Sequence, residues 1–254
     1  MPDSVCSIKE QQMDKPIKKE NIKNIIAVSS GKGGVGKSFI TGLTAVTLSR
    51  KGYRVGILDA DITGPSIPKM FGVTGGIQVD ENMMIAPAVS STGMKVMSVN
   101  FFLEDEDTPV LWRGPILSNF IRQFWDQTTW GDLDYLVIDM PPGTGDVPLT
   151  VYQTIPVDGV VIVTSPQDLV RMIVKKSVHM AEKMEIPVFG IVENYSYMPC
   201  PDCGKKLYPF GQSKVDTIAQ ELKLKVLGKL PICPAWAELA DHGDFESVPL
   251  DEIQ

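Results

Sequence analysis

Read for its hydrophobic and polar positions, the chain alternates short, mostly apolar runs with longer stretches whose apolar residues recur at helical spacing. The runs are Ile25–Ser29, Arg54–Leu58, Asp134–Asp139, Gly159–Thr164, Pro187–Val192 and Val226–Leu230. A strand that is apolar on both faces is what a parallel sheet needs when helices cover it above and below. Lys95–Val99 reads as a further strand, and Ile77–Val89 as a small hairpin turning at Glu81-Asn82. Phe39–Arg50, with Ile40, Leu43, Val46 and Leu48 apolar, reads as a helix stopped by Lys51-Gly52. Pro115–Trp130 puts Ile116, Phe120, Phe124 and Trp125 on one helix face, a core-packing stripe. Asp168–Met184, capped by Asp168, Ser213–Leu222 and Ala235–Ala240 complete the helices. This alternation predicts an α/β fold: a three-layer, doubly wound, mostly parallel sheet. The first strand–turn–helix–strand unit should cross over right-handed. Thr63–Gly76 reads as loop and short helix, Glu104–Asp107 as an acidic surface turn, and residues 25–254 as one domain. Met1–Asn24 is polar, lysine-rich and aperiodic, and reads as a mobile arm.

Composition narrows the partners. A chain of 254 residues with 43% hydrophobic and 22% charged residues is ordinary for a globular protein. A net charge of −7 gives no global electrostatic case for nucleic acid or an anionic membrane. No run of about 18 apolar residues occurs, and Met1–Asn24 lacks the apolar core of a signal peptide. The expectation is a cytoplasmic protein that contacts neither nucleic acid nor membrane. Four cysteines make no disulfide framework, but Cys200-Pro201-Asp202-Cys203 is a C-x-x-C, which in a cytosolic chain reads as a metal or redox motif.

The chemistry gathers at strand ends, where open α/β sheets bind ligands. After the first strand comes Gly31-Lys32-Gly33-Gly34-Val35-Gly36-Lys37-Ser38, the spacing G-x-x-x-x-G-K-[ST] of a phosphate-binding loop. Its glycines let backbone N–H groups surround an anion at the positive end of the next helix. Lys37 would reach the β- and γ-phosphates of a nucleotide, and the Ser38 hydroxyl would hold Mg²⁺. Asp139 ends an apolar strand and supplies the second acid with which such proteins hold Mg²⁺. Pro141-Pro142-Gly143 follows as a stiff segment suited to sensing the γ-phosphate. Asp59 and Asp61, on alternate residues, face the same side of an extended backbone and need a cation between them. Asp61 is assigned to orienting the attacking water and Asp59 to supporting the Mg²⁺ shell. Lys32 is not required by an ordinary phosphate loop.

These motifs carry a resemblance. Lys32 within Gly31–Ser38 looks like the deviant phosphate loop of the dimeric ATPases related to nitrogenase iron protein and to the cell-division and partition ATPases. Asp59-Ala60-Asp61-Ile62-Thr63-Gly64-Pro65-Ser66, Trp112-Arg113-Gly114-Pro115, Asp139–Asp146, Glu193-Asn194-Tyr195-Ser196-Tyr197, Cys200-x-x-Cys203-Gly204 and Phe210-Gly211 together resemble the Mrp/ApbC-type iron–sulfur cluster carrier ATPases. The match runs from about Asn24 to Gly243. It implies the P-loop NTPase fold of the SIMIBI type, ATP as ligand, a homodimer, and apo iron–sulfur proteins as recipients. It also implies that Lys32 crosses the dimer to the other subunit's phosphates and that Asn194 contacts adenine. The chain departs from scaffold-type relatives in having only Cys6 in its N-terminal arm, and from the usual C-terminal glycine-proline pair in reading His242-Gly243-Asp244-Phe245.

Cys200 and Cys203 supply two thiolates where a tetrahedral sulfur site wants four. Two chains related by a two-fold axis would supply all four, a site suited to a bridging [4Fe–4S] cluster. Zinc in the same position and a redox disulfide remain alternatives, since thiolate softness does not separate zinc from iron–sulfur. A positioning or partition ATPase switch is the rival function. Against it stand the acidic end Glu246–Gln254, the lack of a basic stripe, and the cysteine pair itself.

Overall fold

A computed structural model describes residues 19–61, 66–73, 78–81, 83–98, 101, 114–166 and 170–250. Its first strand, β1 (Ile22–Ser30), runs into α1 (Lys37–Arg50) and returns as β2 (Val55–Asp59). A one-turn helix α2 (Ile67–Met70) and short strands β3 (Gln78–Val79), β4 (Ile85–Ala86) and β5 (Ala88–Val89) lead to β6 (Lys95–Ser98). Then come α3 (Gly114–Gln127), β7 (Leu133–Asp139), α4 (Asp146–Thr154), β8 (Gly159–Thr164) and α5 (Val170–Lys183). The long strand β9 (Val188–Pro199), β10 (Lys206–Leu207), α6 (Val215–Leu222), β11 (Val226–Pro231) and α7 (Pro234–His242) close the chain, with a 3₁₀ turn at Phe245–Ser247.

The main sheet has the order β10-β9-β8-β1-β7-β2-β6-β5, with β11 also paired to β9. All pairs among β6, β2, β7, β1, β8, β9 and β11 are parallel, while β5 and β10 pair antiparallel. Successive side chains of a strand go to opposite faces. Thus Ile57 and Val137 enter the layer that holds Ile40, Val46, Trp236 and Phe245, while Leu58 and Ile138 enter the layer that holds Phe124, Trp125 and Tyr152. Both layers are closed by helices, so β2 and β8 are buried along their whole length. The sheet is doubly wound, as the apolar runs require.

β7 lies between β1 and β2, so chain order reverses around β1. That topology brings the carboxyl ends of β1, β7 and β2 together, with Asp139 opposite both Val28 and Asp59. At the other end of the same strands Asp134 accepts from the backbone N–H of Arg54 at 2.9 Å and from Lys23 Nζ at 2.8 Å. Hydrogen bonds from the Arg54 guanidinium, then from Lys23, hold the Asp134 carboxyl well below the usual range.

Several boundaries differ from the sequence reading. Ile22–Asn24, read as the end of the arm, are strand: Ile22 is buried and pairs with Leu133. The first helix starts at Lys37 because Gly36, in the left-handed region, turns the chain into it. The Ile77–Val89 segment divides: β3 and β4 form the hairpin, while β5 joins the edge of the main sheet. α4 carried no clear signal, since Pro148 and the β-branched Val147, Thr150 and Val151 disguise it; a proline in the first turn is tolerated. Residues 1–18, Ile62–Pro65, Glu104–Asp107, Trp112-Arg113 and Asp168 lie outside the described residues. Among the described residues no helix is long and apolar enough to cross a membrane.

Candidate functional site

The loop between Ser30 and Lys37 is anchored from beneath. Val35 is buried in the core layer under α1, its carbonyl accepts from the Asn194 amide at 3.1 Å, and Ser30 Oγ donates to the Lys32 carbonyl at 2.9 Å. Gly36 has φ 78°, and a Cβ there would fall 2.2 Å from Asn194 Nδ2, so conformation and space both demand glycine. Gly31 lies so close to α5 that a Cβ would meet Ile173 Cγ2 at 2.1 Å. Gly33 and Gly34 face open space, and Lys32 lies half-buried on the rim.

Behind the loop is a buried acid cluster built around the Lys37 ammonium. Lys37 Nζ is 2.7 Å from Asp139 Oδ1 and 3.4 Å from Asp61 Oδ2. Ser38 Oγ donates to Asp139 Oδ2 at 2.6 Å and Thr41 Oγ1 to Asp139 Oδ1 at 2.7 Å. Asp59 accepts from the Asp61 N–H at 3.1 Å and from Ser98 Oγ at 3.2 Å. Lys37, Asp59, Asp61 and Asp139 are all at most 9% exposed. Burial, then the charge of Asp139, pushes the Asp59 carboxyl well above its ordinary range, against the pull of Lys37. Burial also raises Asp139, opposed by Lys37, Ser38 and Thr41. Burial thus makes ionisation of Asp59 and Asp139 costly, and a divalent cation beside them would offset that cost. The oxygens of Ser38 and Asp139, 2.6 Å apart, are hard donors of the kind Mg²⁺ takes.

A cleft of about 590 Å³ opens above the loop, lined by Gly33, Lys37, Ser38, Asp61, Tyr195 and Asp241 among others. The side chains from β9 reach it through a bulge. From Glu193 to Tyr197 β9 takes four steps while β11, from Lys229 to Pro231, takes two. The surplus bears Asn194, Tyr195 and Ser196, and Tyr195 has φ 58°. Asn194 is buried, its amide committed to Val35; Ser196 Oγ donates to buried Glu193 at 2.6 Å. The structure thus brings Lys37, Ser38, Asp59, Asp61 and Asp139 together, with Asn194 under the loop rather than in the open cleft. Thr41, Tyr195 and Asp241 were missed from sequence. Thr41 lies one helical turn beyond Lys37, and that spacing alone could have found it.

β9 ends at Pro199, directly before the cysteines. The Cys200 N–H donates to the Lys205 carbonyl at 2.9 Å and the Gly204 N–H to the Cys200 carbonyl at 2.8 Å, closing a tight knuckle over β10. Gly204 takes φ 70° in it. Cys203 is exposed and Cys200 partly so, and neither is in a disulfide. Hydrogen bonds from the N–H groups of Asp202 and Cys203, then from the Cys203 thiol, pull the Cys200 thiol below its ordinary value. Among the described residues no third Cys, His, Asp or Glu joins the pair in an arrangement that could hold a metal ion. Leu207, Tyr208 and Phe210 stand exposed beside it.

The fold and loop define a P-loop NTPase of the MinD/ParA type. MinD from Aquifex aeolicus superposes with a TM-score of 0.60 at 21% identity over 87% of both chains, a likeness of fold alone. A nucleotide-binding protein from Archaeoglobus fulgidus, solved in complex with ADP and with cobalt, matches with a TM-score of 0.81 and 43% identity over 90% of both chains. The ParA family model described as NUBPL iron-transfer P-loop NTPase matches residues 21–252, and the chain belongs to that family. Curated relatives named iron–sulfur cluster carrier protein include one from Clostridium perfringens, 48% identical over 89% of this chain and 82% of its own. Another, from Aquifex aeolicus, is 48% identical over 92% of this chain, which spans 65% of that relative's length.

Proposed function

We propose that the chain is a Mg²⁺-dependent ATPase that acts as a homodimer, carries a labile [4Fe–4S] cluster between two subunits and delivers it to apo iron–sulfur proteins. The observation that carries this reading is the knuckle: two accessible thiols with, among the described residues, no third ligand beside them, on a chain otherwise built to bind nucleotide. Two knuckles facing each other across a two-fold axis complete a four-thiolate site. Each chain then holds half the cargo, so separating the halves releases it. The name borne by the relatives supports the same cargo.

In the ATPase, the backbone N–H groups of residues 31–38 cradle the phosphates, and Lys37 turns from Asp139 to them. Ser38 and Asp139 would hold Mg²⁺, which when bound neutralises phosphate charge. Asp61, beside Lys37 and lining the cleft, orients the attacking water, and Asp59 fixes the Asp61 backbone. Lys32 on the rim reaches the partner's phosphates and counters charge that builds in transfer. Asn194 supports the loop; contact with adenine would require its bond to Val35 to be given up.

Anaerobic reconstitution followed by iron, sulfide and zinc analysis tests the carrier reading. Wild type should hold one [4Fe–4S] cluster per dimer and the Cys200→Ala/Cys203→Ala variant none. Stoichiometric zinc with no sulfide, or unchanged iron in the double variant, would overturn it. Lys32→Ala should bind ATP yet hydrolyse it at least about tenfold more slowly; an unchanged rate at every protein concentration would remove the crossing role.

A further inference from the structure

The bulge of β9 joins the two sites, and its central residue pays a conformational cost. Tyr195 is not glycine, yet its φ is 58°, a region that an L side chain enters at roughly 1–2 kcal/mol. Its ring bears on the phosphate loop: a Cβ on Gly36 would lie 3.0 Å from the Tyr195 hydroxyl and 3.3 Å from Cζ. On one side of it Asn194 holds the Val35 carbonyl of that loop; on the other Ser196 is tied to Glu193. Two residues further, the Tyr197 carbonyl accepts from Ile232 N–H at 2.7 Å, and the Tyr197 ring lies under Lys206 Nζ at 4.1 Å. Lys206 belongs to β10, the strand that closes the cysteine knuckle against Met198 and Pro199. A continuous strand thus runs from the loop to the thiols, and its slack is gathered in the bulge.

We propose that Tyr195 is a positioning residue that couples the phosphate loop to the cysteine knuckle: its ring registers the position of Gly36, and the bulge passes that position along β9 to Cys200. The inference rests on the proposed function in taking the knuckle as the cargo site. Bulges and backbone strain collect where an element must be re-aimed. Here the strained residue belongs to both contacts: its side chain touches the loop, and its backbone sets the register of Tyr197 against β11. Without the ring the strand keeps its path, since glycine takes this φ freely, but it loses its contact with the loop.

The test uses metal-free protein, so absence of a cluster would sink the carrier reading and leave this test standing. The rates of alkylation of Cys200 and Cys203 are read by mass spectrometry, without nucleotide and with ATP and Mg²⁺ saturating for each variant. Wild type and Tyr195→Phe, which keeps the ring, should show rates that differ about fivefold or more between the two states, the low end of ordinary coupling between sites. Tyr195→Gly should bring the two rates together while keeping the nucleotide-free rate of wild type. Equal rates in wild type would overturn the proposal. So would a wild-type difference that survives in Tyr195→Gly, since the thiols would then be protected by another route, such as cover from the second chain.

Discussion

The phosphate loop and the cysteine knuckle are held in opposite ways. The loop has a buried valine beneath it, a side-chain amide on its backbone, a helix packed against Gly31 and an acid cluster around its lysine. The knuckle has two backbone hydrogen bonds and a two-residue strand, with its thiols toward solvent. A loop that stabilises charge in phosphoryl transfer gains from dipoles fixed before the reaction. A site that must give up its cargo gains from the reverse, because weakly packed segments open at low cost. β9 carries the same contrast: it is buried at Glu193 and Asn194, in mid-strand, where it meets the loop, and exposed at its Pro199 end, beside the thiols.

The largest effect should come from Lys37, the cation within the acid cluster. Lys37→Ala leaves Asp139 and Asp61 without their ammonium, and removing one partner of a buried ion pair costs about 3–5 kcal/mol. Chemical denaturation should show that loss along with abolished hydrolysis. Cys200→Ala/Cys203→Ala should abolish cluster binding yet change stability by no more than about 0.5 kcal/mol, as exposed substitutions do. Equal destabilisation by the two variants would break the contrast between the regions.

Sequence made much of this architecture legible and hid a specific part. The buried parallel strands read directly, because both faces are covered and every residue of β2 and β8 but the last is apolar or glycine. The phosphate loop, Asp59, Asp61 and Asp139 read from spacing at strand ends. Strands β5 and β10, each two residues long, are too short for any periodicity to register. The bulge was hidden for a related reason: Pro187–Val192 reads as one apolar strand, but β9 continues through Asn194–Ser196, where buried Asn194 bonds to the loop and buried Ser196 to Glu193. The contact of Asn194 with adenine was implied by the family resemblance, whereas its bond to the Val35 carbonyl carries no signal in spacing. Its burial under Val35 is a tertiary fact.

A smaller and opposite effect belongs to Asp59. Burial and Asp139 raise its folded-state value above that of the unfolded chain, so the folded state holds the proton more tightly. Stability is then greatest at low pH and falls as pH rises through the unfolded value, about 4, toward the raised one. Asn can accept from the Asp61 N–H and donate to Ser98 Oγ, keeping both contacts without the charge. Asp59→Asn should therefore be more stable than wild type at pH 7, with the gain vanishing near pH 4. Thermal midpoints across that range check the sign, and ATP hydrolysis should fall in the same variant. A gain that persisted at pH 4 would mean that packing, not ionisation, is the cause.

A last contrast lies between two glycines of like conformation. Gly36 has φ 78° and Gly204 φ 70°, so alanine pays the left-handed penalty at both, roughly 1–2 kcal/mol. At Gly36 the new Cβ also drives into Asn194 Nδ2; at Gly204 nothing lies within 4 Å. Gly36→Ala should therefore lower global stability by the penalty plus the lost Asn194–Val35 bond, about 1–3 kcal/mol more. Gly204→Ala should barely move the global midpoint, because a knuckle held by two backbone bonds can open alone. Its cost should appear locally, as faster hydrogen exchange at the Cys200 and Gly204 amides, and Gly204→Asn should recover part of it, since asparagine tolerates this region. If Gly204→Ala lowered the global midpoint as far as Gly36→Ala, the knuckle would be part of the cooperative core, and a cargo site that opens independently of the ATPase would be ruled out.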